Sequence, residues 1–264
     1  MTCVEILDMS VTSGSERRGV PVWNNVYIEE LAMRALPVSA WSTSRIANTR
    51  CMDREDILAA TAAGRREMAD LIDGLNETEL ATPSLCTGWD VKTVAAHVMS
   101  NLTDGPAAIT RLGFRYGNPA RAVDELAKRR ARLPVAEIAG NLRRLAGHRY
   151  WSMPPHADRG PLADVLVHTG DMRIPLGMPF EPDPQVAAEA LERLAQSTPT
   201  FLIPISRLRS IRLRASDIDR TWRKGQEIRG PVAALLMAAG GRTALLDALD
   251  GPGLPILRQR IAGR

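Results

Sequence analysis

PLADVLVHTGDMRIPLG, residues 161–177, is the stretch on which the reading of this chain turns. Pro161 suits a first helical position, where its missing N–H costs no hydrogen bond, and the pattern predicts a helix running to about Pro175. Within it Asp164 precedes His168 by four residues, so both side chains leave one helix face with Cβ atoms roughly 5–6 Å apart. That is close enough to hold one ion jointly. Of the four histidines, His97, His148, His156 and His168, only His168 has a carboxylate one turn before it. Taken alone the spacing is not specific, because a histidine on an apolar helix face is commonly a satisfied core residue.

Working outward, TGWDVKTVAAHVMSNL (residues 87–102) predicts a helix that carries His97, with Thr87 as its cap and Asp90 in its positive first turn. Further upstream, DREDILAATAAGRREMADLIDGL from Asp53 places Ile57, Ala60, Met68, Leu71, Ile72 and Leu75 on one helical side. A third helical stretch spans about Ala120 to Tyr150 and is weakened or broken at Pro134. Four helices joined by modest loops imply an antiparallel bundle over residues 52–178. After GMPFEPDP the texture changes. A helix from about Pro184 to Ser197 is followed by Ile211, Leu213 and Ala215 alternating with polar residues, the period of a half-buried strand. Trp222 and the Lys224–Gly225 turn suit a hairpin partner, and GPVAALLMAAGGRTALLDAL is helical again, split near Gly240–Gly241. The fold class is therefore α+β: a four-helix bundle, then a small α+β unit over 179–264. Residues 1–51 lack sustained periodicity and are expected to be a disordered or mis-annotated extension.

Composition narrows the function classes. The apolar fraction of 45% is ordinary for a globular protein, and no stretch reaches the roughly 20 apolar residues of a membrane-spanning helix. Three cysteines without CxxC spacing argue against a disulfide framework or a thiolate zinc site and fit a reducing cytosol. The net charge of +4 is spread along the chain rather than clustered, so neither nucleic acid nor a membrane is an expected partner. Lysine occurs three times among 34 basic residues, the usage of a GC-rich genome, so the basic pI reflects codons more than partners.

His97, on a second inward-facing helix, would complete a two-histidine, one-carboxylate set with Asp164 and His168. Three protein ligands with open positions describe a catalytic rather than a structural metal site. GWDVKTVAAHV around His97 and DVLVHTGDMRIPLG around His168 together resemble the mycothiol-dependent maleylpyruvate isomerase family, a DinB-like bundle. LRASDIDRTWRKGQEIRGPVAALLMAAGGR is similar to its small C-terminal domain. The resemblance covers roughly Asp53 to Leu254. It implies zinc or another divalent metal on His97, Asp164 and His168, with mycothiol as thiol cosubstrate and a small electrophilic or unsaturated acid as substrate. The family's carboxylate is a glutamate, a methylene longer than Asp164. Asp171 is a substitute ligand, a hydrogen-bond partner for an imidazole, or an ion-pair partner for Arg173 or another arginine.

The same resemblance implies that the metal lowers the pKa of the thiol. The thiolate then either adds to and leaves a maleyl-type double bond, as in an isomerase, or keeps its electrophile, as in an S-transferase. It also implies an active-site arginine in the C-terminal unit, and Arg242 after Gly240–Gly241 is the candidate clamp for a substrate carboxylate. Trp89 is read as core packing. A non-catalytic metal- or small-ligand-binding protein is the competing class.

Overall fold

The computed structural model describes residues 52–149, 158–196 and 205–262; the expectation for residues 1–51 lies outside them, as does His156. Helix α1 (Arg54–Asp73) opens with a capping box in which the Asp53 and Asp56 carboxylates each accept the other's backbone N–H. It buries Ile57, Met68 and Ile72, with Ala60, Leu71 and Leu75 packed partly against them. After the single turn α2 (Glu77–Leu80) comes α3 (Val91–Thr103), the helix of His97. Thr87 is not its cap. Gly88 takes a left-handed turn at φ 81°, and Asp90 becomes the capping residue, its Oδ1 accepting the Thr93 N–H at 2.7 Å.

The expected third helix is two, α5 (Pro119–Arg130) and α6 (Val135–Arg144), with Pro134 at the α6 cap. Before them stands α4 (Gly105–Tyr116), a helix not expected from the sequence, where Gly105, Pro106 and Gly113 read as turn residues. Helix α7 (Arg159–Arg173) carries Asp164, His168 and Asp171, and Pro161 is its third residue rather than its first. Helices α1 and α3 both pack against α6 and α7, which makes the four-helix bundle; α5 flanks α3 and α4.

Helix α8 (Pro184–Ala195) lies between α7 and α9 (Val232–Ala239). Between them in sequence come β1 (Ile211–Ala215), β2 (Thr221–Trp222) and β3 (Gln226–Gly230), and α10 (Leu254–Ala262) ends the described chain. In β1, Ile211, Leu213 and Ala215 are buried while the arginines between them are exposed. The sheet order is β2–β1–β3. Strand β2 is the antiparallel partner, with Trp222 opposite Leu213, but Lys224–Gly225 is not the hairpin turn. It carries the chain to β3, which pairs parallel on the other side of β1, with Leu213 opposite Ile228.

The bundle and the α+β unit share one apolar core, which runs from Met68, Met99 and Leu162 through Leu191 to Leu213, Ile228 and Leu235. Each such side chain, fully buried, is worth about 1.5–3 kcal/mol over leaving it in water. Gly170 sets the closeness of the join: a Cβ there would stand 2.7 Å from Met237 Sδ. Helix α9 is thereby drawn onto α7 beside His168 and Asp171. No helix among the described residues is long and apolar enough to cross a membrane.

Candidate metal centre

Helices α3 and α7 bring His97, Asp164 and His168 together, with one donor atom from each lying within 4.8 Å of the other two. Asp164 Oδ1 is 3.5 Å from His168 Nε2 and 3.9 Å from His97 Nε2. Ligand atoms about 2.0–2.1 Å from a tetrahedral zinc ion stand about 3.3 Å apart. The two separations from Asp164 exceed that spacing by only a few tenths of an ångström, so the shorter aspartate side chain reaches the position once the donors draw in around an ion. The histidine side chains are 10% and 5% exposed and Asp164 is 34% exposed, which leaves the carboxylate side of the centre open to an incoming ligand.

The electrostatics are uneven. His168 is buried, which alone would depress its pKa, but hydrogen bonds and charges from Asp164 and Asp171 outweigh burial and raise it to about 9. For His97 burial wins over Asp164, and its pKa falls below the usual imidazole value. Its Nδ1 is buried without a hydrogen-bond partner. Packing positions the ring: Trp89 lies 5.1 Å away centroid to centroid and His168 makes an edge contact at 5.0 Å. Trp89 is buried as expected and is fixed by its Nε1–H, which donates to Asp124 Oδ1 at 2.8 Å. Asp164 is held below the carboxylate range: burial opposes this, but both histidines favour the charged form.

Asp171 is fully buried and is not a surface ion pair with Arg173. Its Oδ2 lies 2.9 Å from His168 Nδ1, and it takes a two-pronged bond from Arg242, Nε to Oδ1 at 2.9 Å and Nη2 to Oδ2 at 2.7 Å. Burial would raise its pKa, but the Arg242 charge and the His168 bond hold it low. Arg242 is 7% exposed, and its Nη1 donates to the Gly240 carbonyl at 2.6 Å. The fork already holds a carboxylate, the protein's own, so a substrate carboxylate would share Arg242 with Asp171. Asn101, one turn after His97, is a site residue not read from the sequence. Its Nδ2 donates to Asp164 Oδ2 at 3.2 Å and sits 3.4 Å from His97 Nε2. An i,i+4 partner of a candidate ligand is the signal that could have found it.

A second donor group, Cys86, His168 and Asp171, overlaps the first through His168. Cys86 Sγ lies 3.1 Å from Asp171 Oδ2 and 3.8 Å from His168 Nδ1. The Arg242 guanidinium against both Asp171 oxygens disfavours a cation there, and the first group is the better candidate for one. His148 is elsewhere, with its backbone carbonyl accepting from Arg65 Nη1 at 3.1 Å.

Two histidines and a carboxylate brought together inside a helical bundle, with a small sheet attached, make a candidate metal centre in a DinB-like fold. More narrowly, residues 61–173 match the mycothiol maleylpyruvate isomerase N-terminal domain. Among solved structures the chain is similar to a mycothiol-dependent maleylpyruvate isomerase at TM-score 0.51 and 15% identity, over 76% of this chain and 93% of that one. It is also similar to a histidine-to-alanine mutant of an enzyme so described, at TM-score 0.50 and 13% identity with the same coverage. At these identities the likeness shows the fold. No curated protein matches the chain.

Proposed function

We propose that the chain is a divalent-metal- and mycothiol-dependent enzyme acting on a small electrophilic or unsaturated acid, an isomerase before an S-transferase. The family of residues 61–173 and the isomerase activity for which the similar structures are named support this reading. The observation that carries it is the grouping of His97, His168 and Asp164, with donor atoms within 4.8 Å of one another and Asp164 Oδ1 facing the Nε2 of both histidines. These three would hold zinc, and Asp171 stays on the far nitrogen of His168. A bound divalent ion supplies Lewis acidity that favours thiolate over thiol at neutral pH.

The chain's own residues prepare that position. His168 gives up its Nε2 proton when the ion binds, while Asp171 keeps the ring's Nδ1 side occupied. Asn101 holds Asp164 Oδ2 and leaves Oδ1 directed at the histidines. The buried Trp89 and the apolar faces of α3 and α7 exclude water from all but the Asp164 side. The test is turnover of a cis-unsaturated dicarboxylic acid by zinc-loaded protein with and without mycothiol. Isomerisation that requires the thiol and stops on chelation supports the reading. Retained thiol with no isomer indicates the transferase. Zinc binding without turnover of any electrophile favours a binding protein.

A further inference from the structure

We propose that Arg242 and Asp171 act as a positioning relay for His168, carried to the metal centre by the C-terminal unit; this rests on the metal-centre reading above. Gly241 adopts φ 86°, a conformation that side chains rarely take, and a Cβ there would run into the Arg207 guanidinium. The turn after α9 therefore delivers Arg242 inward, and its backbone N–H bonds the Met237 carbonyl at 2.9 Å. From that fixed turn the planar fork spans both oxygens of Asp171, a contact between residues 71 apart in sequence.

Asp171 Oδ2 then faces His168 Nδ1 at 2.9 Å. With a metal on Nε2, the Nδ1–H donates to that oxygen and the ring has one orientation. A carboxylate behind a ligating imidazole fixes its tautomer and its aim. Arg242 does two things to that carboxylate. It holds it rigidly, since two parallel bonds remove its rotation. It also neutralises it, so Asp171 orients the ring without drawing a cation to its own side. His97 has no such support on its Nδ1, so the precision of the centre depends on His168 and hence on the C-terminal turn. Arg242 is a positioning residue that never touches the ion.

The experiment compares wild type with the double variant Asp171→Asn/Arg242→Met, which removes both buried charges together and strands neither. Zinc affinity is read by chelator competition, and ligand geometry by the visible bands of the cobalt(II)-substituted protein. The expected result is zinc binding about 10–100-fold weaker with shifted cobalt bands. If the double variant does not fold, Arg242→Lys keeps the charge but not the fork, and about tenfold weaker binding with shifted bands is expected. A purely architectural ion pair leaves both readouts at wild-type values, and that result overturns the relay. Wild-type protein that takes up neither zinc nor cobalt overturns the metal-centre reading as well, so the two failures are told apart.

Discussion

The α3 side and the α7 side of the centre offer the same ligand, an imidazole, in opposite surroundings. On α7, His168 is held from both nitrogens by carboxylates, and its pKa rises to about 9. On α3, His97 has an unpartnered Nδ1 and a ring kept in place by Trp89, and its pKa falls. One histidine is prepared as a proton holder and the other is kept neutral by desolvation. Ligand identity therefore does not fix ligand state. Partners at the far nitrogen do, and on α7 those partners arrive from the other end of the chain.

The largest effect that would break this contrast is expected at Asp171. Asp171→Ala strands the buried Arg242 charge and removes the His168 partner, and should cost on the order of 3–5 kcal/mol in urea unfolding. A loss below about 1 kcal/mol would mean the network is not what holds the α7 side. Next come the histidines compared in metal-free protein. His168→Ala takes a close partner from both Asp164 and Asp171, whereas His97→Ala takes from Asp164 only the longer contact at 3.9 Å. The former should be less stable than the latter by about 1–3 kcal/mol, and equal losses would erase the asymmetry.

How much of this is legible in the sequence follows from range. Asp164 and His168 are one turn apart, so helical period alone places them on one face, and alternation alone places Ile211, Leu213 and Ala215 in a strand. His97 needs the motif around it, since nothing local pairs it with a helix about 70 residues away. The Asp171–Arg242 bond joins an α7 residue to the turn after α9 and cannot be read from either segment, because its partners are 71 residues apart and meet only when α9 packs on α7. For the same reason the sequence points to an arginine suited to a carboxylate at Arg242 but not to Asp171 beside it. Helix α4 escapes because Gly105, Pro106 and Gly113 read as turn residues despite its amphipathic spacing. The Asp90 cap escapes because the left-handed turn at Gly88 that moves the helix start past Thr87 has no local signature beyond the glycine.

Two smaller effects sharpen the comparison. Gly170→Ala sets a methyl against the end of the Met237 side chain and the Phe180 ring. Overpacking of about 1–3 kcal/mol is partly offset by the flexible thioether and by the roughly 1 kcal/mol that alanine gains over glycine inside a helix, so Tm should fall slightly. An unchanged Tm would show that the join has slack. The pH dependence follows from His168. Its folded pKa, about 9, lies above the unfolded value of about 6.5. Its contribution to metal-free stability is therefore full below about pH 6.5 and is lost as pH rises through about 9. Zinc binding at pH 7–8 must displace that proton, so calorimetry in buffers of different ionisation enthalpy should show release of about one proton, fading above pH 9. No release at pH 7.5 would place the proton elsewhere.

Metal analysis of the purified, dialysed protein bears most directly on the centre itself. About one zinc or similar divalent ion per chain is expected, as three converging protein ligands hold a single ion. It should be lost in both His97→Ala and His168→Ala. Full occupancy in both variants, or none in the wild type after zinc loading, would contradict a metal centre at His97, Asp164 and His168.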